Sequence, residues 1–115
     1  MKLNYGDEIQ KDTGIGLGTV HTGIYIGNNQ VIHFDGEISS DGKSDIIKQS
    51  SLQEFMDGKE IKVRETPQSD KHAKKIVKRA KKIMNNPKNK YNGNYGVLFG
   101  ENCQDFTQDC YEVIL

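Results

Sequence analysis

The order of apolar and polar residues predicts short strands in the first half of the chain and helices mainly in the second. A strand with one buried face alternates apolar and polar side chains, whereas a helix repeats apolar residues every three or four positions. The predicted strands are residues 7–11, 20–26, 31–34, 45–48 and 60–65. Gly27, Asn28 and Asn29 form a strong turn signal between the second and third strands, which predicts a hairpin.

Capping signals predict a short helix in the middle of the chain and another at its end. Ser51, with Glu54 three residues later, forms a capping box, and Gly58 marks the end of a helix of barely two turns. Asn102 is a good N-cap residue for a last helix, which continues to about residue 113.

The longest predicted helix begins near Thr66 or Ser69 and ends at Met84. Its apolar stripe consists of Ala73, Ile76, Val77, Ala80, Ile83 and Met84. Its polar face carries Lys71, Lys74, Lys75, Lys78, Arg79, Lys81 and Lys82. Such lysines usually solvate the outer face of a packed helix, and His72 beside them is expected at the surface. A peripheral contact with an anionic membrane through Lys74, Lys75, Lys78 and Lys82 stays open, and no nucleic acid is expected.

These elements predict an α+β fold, with a small antiparallel sheet and helices packed on one side. At 115 residues the chain is expected to form one domain over residues 1–115. Polar or glycine-rich loops fill residues 12–19, 35–45 and 88–100. The first loop lacks the glycine pattern of phosphate-binding loops, so we do not expect a nucleotide site.

Composition narrows the class of protein. Hydrophobic residues make up 34% of the chain, charged residues 28%, and the formal net charge is zero, so the chain as a whole is not a binder of polyanions. The N-terminus has no apolar segment typical of a signal peptide, and no apolar run approaches the ~18 residues of a membrane span. We therefore expect a cytoplasmic protein, with signal-less export as the alternative.

The two cysteines predict no disulfide but one reactive thiol. Cys103 and Cys110 are seven residues apart, which on one helix separates them by about 10 Å. Disulfides require Cα atoms within about 7 Å, so these two cannot pair. Cys103 follows Asn102 in the first helical turn, where unpaired N–H groups and the helix dipole favour the thiolate. The alternative is a buried, inert cysteine, and Cys110 is expected in the core.

His21 and His33 are candidates for the base and its orienting partner, on the two strands of the hairpin. A two-residue turn is expected to pair Ile24 with His33 and to separate the histidines onto opposite faces. A three-residue turn is expected to pair Tyr25 with His33 and to place both histidines on one face, several residues apart. A catalytic role requires the second geometry or a bulge.

Two stretches resemble the lecithin retinol acyltransferase family, which includes small phospholipase/acyltransferases. Residues 21–34 (HTGIYIGNNQVIHF) resemble its histidine box, and residues 102–106 (NCQDF) resemble its N-C-E-x-F nucleophile motif. Gly6-Asp7 and the order of the later helices agree with the family, so the resemblance covers nearly the whole chain. Gln104 stands where the family has glutamate, which bears on acyltransferase specificity more than on the basic chemistry.

The resemblance implies a permuted NlpC-type papain-like fold without a cofactor. By position, Cys103 is the nucleophile, His21 the general base and His33 the residue that orients His21. The implied enzyme hydrolyses or transfers acyl groups of lipid esters or amides through an acyl-thioester, so its partner is a small acyl substrate or a peptide. The alternatives are an amidase or endopeptidase on peptidoglycan or protein, and a non-catalytic binding module.

Two further assignments concern groups around this nucleophile. The backbone N–H of Cys103 is the expected oxyanion donor, and Tyr25 is a second candidate because it shares a strand face with His21. Zinc binding by His21, His33 and Cys103 is the competing interpretation of the same residues. It lacks a fourth ligand for a structural site, so no metal is expected.

Overall fold

A computed structural model describes residues 2–12, 20–35, 46–92 and 102–113. Within them the elements are, in order, β1 Glu8–Asp12, β2 Val20–Tyr25, β3 Gln30–Asp35, β4 Ile46–Ser51, α1 Leu52–Met56, β5 Ile61–Glu65, α2 Asp70–Met84 and α3 Cys103–Tyr111. The strands form one sheet in the order β4-β3-β2-β1-β5, with every neighbouring pair antiparallel. The predicted α+β class is confirmed. Most residues of the three predicted loops lie outside the described part of the chain.

The hairpin between β2 and β3 has a three-residue turn, and its register decides where the histidines lie. Gly27, Asn28 and Asn29 all have positive φ, at 84°, 52° and 58°. The ladder pairs Gly23 with His33, so both predicted pairings of His33, with Ile24 and with Tyr25, are wrong. Since residues two apart on a strand share a face, this register makes His21 and His33 diagonal neighbours.

The sheet buries side chains on both faces. On one face, Ile24, Ile32 and Phe34 pack in a large apolar cluster with residues of α2 and α3. On the other face, Val31 and Ile9 pack in a smaller cluster around Phe55 of α1. Alternation along β2 and β3 places His21 and His33 on the second face. The two larger helices therefore support one side of the sheet, and the short α1 covers the histidine side.

Glycine at position 23 permits the close contact between α1 and the sheet. A Cβ atom there would lie 2.6 Å from Cγ1 of Val31, 3.1 Å from Cε2 of Phe55 and 3.2 Å from Cβ of His33. The missing side chain thus leaves the space in which the Phe55 ring approaches both histidines.

Of the two predicted starts of α2, Ser69 is confirmed as the N-cap. Two other local predictions need correction. The alternation in β5 predicts that Ile61 and Val63 both point inward; Ile61 is buried, but Val63, on this edge strand, is 38% exposed. His72 is also buried, contrary to the prediction of a surface residue. Its ring turns toward the end of α3, where its Nε2 lies 3.4 Å from the carbonyl oxygen of Tyr111.

Candidate active site at the start of the last helix

The two histidines form a direct hydrogen bond on one face of the sheet. His21 Nε2 lies 2.9 Å from His33 Nδ1, and His33 Nε2 lies 2.9 Å from Oγ of Ser50 on β4. His33 therefore uses both ring nitrogens within the fold. His21 uses only Nε2, and its Nδ1 has no hydrogen-bond partner among the described residues. Within the described part of the chain, the pair thus leaves one imidazole nitrogen without a partner, and His33 holds the ring of His21 in place.

Apolar surroundings and a nearby cation keep both rings neutral. The Phe55 ring stacks on His21 with centroids 5.2 Å apart and meets His33 edge-on at 5.3 Å. Lys11 is paired with His21 across the β1–β2 ladder, and its Nζ lies 5.3 Å from the Phe55 centroid. Burial, followed by the Lys11 charge, lowers the pKa of His21 to about 4. Burial, followed by His21, lowers the pKa of His33 to about 3.

Cys103 is the first residue of α3, as the capping signal predicts. The Asn102 side chain accepts hydrogen bonds from the N–H groups of Gln104 and Asp105, and the Asp105 carboxylate accepts from the Asn102 N–H. This reciprocal box uses three N–H groups of the helix start. The N–H of Cys103 itself has no acceptor among the described residues, which leaves it available to a ligand.

The sulfur lies beside the beginning of β2. Cys103 Sγ is 3.5 Å from the carbonyl oxygen of Val20, the residue immediately before His21. The side chain is 2% exposed and borders the apolar cluster between the sheet and α3. Within the described part of the chain, no hydrogen bond joins this sulfur to either imidazole. The structure therefore brings the two histidines together and brings Cys103 to the neighbouring residue, on the α3 side of the strand.

The predicted role of Tyr25 does not fit its position. Its hydroxyl accepts a hydrogen bond from the N–H of Asn29 at 3.3 Å, within the hairpin turn. Tyr25 and His21 are four residues apart on β2, which corresponds to roughly 13 Å along a strand. The hydroxyl is thus directed to the opposite end of the strand from the histidines.

Three polar residues beside His33, Asp35, Lys48 and Ser50, were not predicted from the sequence. Asp35 follows His33 by two positions, so the alternation of the strand was a usable signal that both share a face. Its carboxylate binds Nζ of Lys48 at 2.7 Å. Ser50 and Lys48 come from β4, and nothing in the sequence specified the register of β4 against β3.

A buried polar network holds the first turn of α3 against the sheet. Oγ1 of Thr107 donates to Oε2 of the buried Glu8 at 2.5 Å. It accepts a hydrogen bond from Oγ1 of Thr22 at 3.2 Å. Arg64 lies 3.9 Å from Glu8 and donates to Gln104 Oε1 at 3.2 Å. These contacts tie the residue after Cys103 and the residue one turn later to β1, β2 and β5.

Comparisons with known proteins agree with the resemblance noted above. The family model described as lecithin retinol acyltransferase matches residues 1–112. A comparison with curated proteins gives no match. Among the described residues, no helix is long and apolar enough to span a bilayer.

Proposed function

The chain belongs to the lecithin retinol acyltransferase family, and we propose that it is a cysteine-dependent acyl hydrolase or acyltransferase that uses Cys103, His21 and His33. Membership suggests acyl transfer or hydrolysis in general. The observation that supports the specific mechanism is the hydrogen bond between His21 Nε2 and His33 Nδ1, which leaves His21 Nδ1 without a partner among the described residues. His21 directly follows Val20, whose carbonyl oxygen Cys103 Sγ contacts. The proposal includes the permuted NlpC-type arrangement, in which the histidines precede the cysteine.

In the proposed reaction, His21 Nδ1 accepts the Cys103 proton as the sulfur attacks an acyl carbonyl. His21 then carries protons on both nitrogens, and its Nε2–H donates to His33 Nδ1. The collapse of the tetrahedral intermediate breaks the bond to the leaving group, which takes the proton from His21 Nδ1. Water or an acceptor alcohol or amine, activated by His21, releases the acyl group from the thioester.

The lowered pKa of His21 favours proton transfer during attack over a preformed ion pair. At neutral pH an imidazole with a pKa of about 4 is uncharged, so it accepts a proton only as the thiol loses one. His33 steadies the transient imidazolium through its Nδ1 lone pair, and the Ser50 hydroxyl fixes the ring of His33 in turn. The Cys103 N–H is the proposed oxyanion donor.

Intact-mass spectrometry with a phospholipid substrate tests this function. After incubation with phosphatidylcholine vesicles, we expect a fatty-acyl adduct on Cys103, which is absent in Cys103→Ala and present in the matched variant Cys110→Ala. Cleavage of a muropeptide without an acyl adduct from lipid would instead favour an amidase. No adduct and no cleavage with either substrate would support a binding module and contradict the proposal.

The lysine face of α2 supports a secondary proposal of contact with an anionic membrane. Lys74, Lys78 and Lys82 are exposed, whereas Lys75 is half-buried. Each surface lysine near an anionic bilayer contributes about 1 kcal/mol at low salt. Co-sedimentation with phosphatidylserine vesicles is expected for the wild type and lost when the three exposed lysines are changed to glutamine. Equal sedimentation of both proteins would contradict this contact.

A further inference from the structure

The two histidines form a second constellation with Asp35. His21, His33 and Asp35 each offer one ligand atom, and these three atoms all lie within 4.8 Å of one another. We propose that these residues bind a divalent transition-metal ion such as Zn²⁺, and that the metal-bound protein is inactive because the ion removes the base from Cys103. Binding does not depend on the proposed function, whereas the inactivation rests on it.

The spacing of the two nitrogens suits a shared metal ion. Two imidazole nitrogens that ligate one tetrahedral Zn²⁺ at about 2.0–2.1 Å lie roughly 3.3 Å from each other. His21 Nε2 and His33 Nδ1 are 2.9 Å apart, so the ion requires a movement of a few tenths of an ångström together with a rotation of the rings that turns both lone pairs toward it. Asp35, on the same strand face as His33, supplies a carboxylate as the third ligand. Water or a substrate atom completes the coordination.

Ser50 provides the outer hydrogen-bond partner that a metal-bound histidine needs. A ligating imidazole usually donates its other ring N–H to a fixed acceptor, which sets the tautomer. His33 Nε2 lies 2.9 Å from the Ser50 hydroxyl, so His33 can donate there and direct its Nδ1 lone pair at the ion. Two imidazoles and a carboxylate favour zinc, cobalt or nickel over magnesium and calcium, which prefer all-oxygen sites.

Catalysis and metal binding require opposite tautomers of His21. For catalysis, Nδ1 must carry a lone pair for the Cys103 proton, so the ring proton resides on Nε2 and points at His33. For metal binding, Nε2 must carry the lone pair, so the ring proton moves to Nδ1. A neutral imidazole holds only one ring proton. Occupation of the metal site therefore blocks proton transfer from Cys103 without contacting the sulfur.

Lys48 opposes the metal from within the same site. Its Nζ binds the Asp35 carboxylate at 2.7 Å in the metal-free protein, so the ion must displace this partner. Substitutions of the two residues of this ion pair are therefore expected to have opposite effects on metal affinity. Loss of the carboxylate in Asp35→Asn removes a ligand, whereas loss of the ammonium in Lys48→Met frees that ligand.

Isothermal titration of ZnCl₂ into metal-stripped protein tests binding directly. We expect one site in the wild type, at least about tenfold weaker affinity in Asp35→Asn and in His33→Gln, and equal or tighter affinity in Lys48→Met. The variant Cys103→Ser is expected to bind within about threefold of the wild type. No binding to the wild type, equal binding by Asp35→Asn, or loss of binding in Cys103→Ser would overturn the site. If Asp35→Asn fails to fold, Lys48→Met and Cys103→Ser still decide.

Alkylation of Cys103 by iodoacetamide, with and without zinc, tests the inactivation. In the wild type we expect zinc to slow alkylation at least about tenfold, and in Lys48→Met the same slowing is expected at equal or lower zinc. Unchanged alkylation at saturating zinc would overturn the inactivation. A cysteine that is unreactive even without metal would instead contradict the proposed function, while the calorimetric result would still decide the binding site.

Discussion

The first and last turns of α3 each contain a buried cysteine, but their surroundings differ. Cys103 contacts the carbonyl of Val20, the residue before His21, whereas the last turn, which contains Cys110, contacts His72 through the Tyr111 carbonyl. At the last turn, His72 Nδ1 accepts from the N–H of Gln68 at 2.9 Å and its Nε2 faces the Tyr111 carbonyl, so both nitrogens are used. At the first turn, His21 follows the residue that Cys103 contacts, and among the described residues its Nδ1 has no hydrogen-bond partner. In the proposed mechanism, unused hydrogen-bonding capacity at His21, and not burial or residue type, distinguishes the reactive end of α3 from the structural end.

The electrostatics of the two cysteines follow the same division. Burial raises the pKa of the Cys110 thiol, with Asp109 as the next cause, so this sulfur is held neutral. Cys103 lies at the end of the helix where N–H groups point outward and the dipole favours negative charge. The surroundings of Cys110 thus disfavour a negative charge on its sulfur.

The largest expected effect separates the two sulfurs. Cys103→Ala should lower the turnover of an activated ester such as p-nitrophenyl butyrate by roughly 10⁴-fold or more, because no other nucleophile replaces it. Cys110→Ala should keep the turnover within about threefold, and the thermal midpoint shows any loss of packing. A similar loss of turnover in both variants, with both folded, would remove the distinction between the two ends.

We expect the histidines to fall into the same two groups, with His21 and His33 affecting catalysis and His72 affecting stability. His21→Gln is expected to lower kcat/KM by about 10²–10⁴-fold through loss of the general base, and His33→Gln by a smaller factor through loss of orientation. His72→Gln should leave kcat/KM nearly unchanged and lower the free energy of unfolding by about 1–3 kcal/mol, since it disturbs buried hydrogen bonds. Denaturant titration and ester kinetics measure both quantities. A kinetic defect in His72→Gln at full stability would contradict this assignment.

Acid should destabilise the histidine end of the site. The pKa of His21 is about 4 and that of His33 about 3 in the folded protein, against about 6.5 in an unfolded chain. Between these values the unfolded chain binds more protons, so the free energy of unfolding falls as the pH falls from 6.5 toward 4. Replacing either histidine with glutamine should reduce this slope in urea titrations made in EDTA. An unchanged slope in both variants would show that the two rings are not the cause.

The smallest expected effect concerns the caps of α3. Asn102→Ala should cost about 1 kcal/mol, because the Asn102 side chain accepts two N–H groups of the first turn. At the other end, the C-cap Glu112 donates its backbone N–H to Gln108 and Asp109, and its side chain accepts one exposed hydrogen bond from Gln108. Glu112→Ala should therefore change stability by less than about 0.5 kcal/mol. Urea midpoints of the two variants make the comparison. A larger loss in Glu112→Ala would reverse the assignment of which end is specified by side chains.

Local patterns were sufficient for the elements but not for the contacts between them. The hairpin, the capping boxes and the stripe of α2 depend on neighbouring residues, and each was predicted close to its observed bounds. The pairing of Gly23 with His33 depends on which turn residues adopt positive φ, and neither of the two registers considered from the sequence had this pairing. The burial of His72 depends on Tyr111, which is distant in sequence. The position of Ser50 beside His33 depends on the register of β4.

The candidate site was predictable in part for the same reason. The spacing of His21 and His33 within one hairpin and the Asn102 cap before Cys103 are local signals, so the residues could be named. Asp35 was available from alternation along β3 but was not used. The distance between the sulfur and the imidazoles follows from the packing of α3 on β2, which no short pattern encodes.

The most direct test of the account is the rate at which iodoacetamide alkylates each cysteine near neutral pH, measured by peptide mass spectrometry with the other cysteine as an internal reference. If His21 is the base for Cys103, Cys103 is alkylated at least about tenfold faster than Cys110 in the wild type, and this difference is lost in His21→Gln. Equal and slow alkylation of both cysteines, unchanged in His21→Gln, would contradict it.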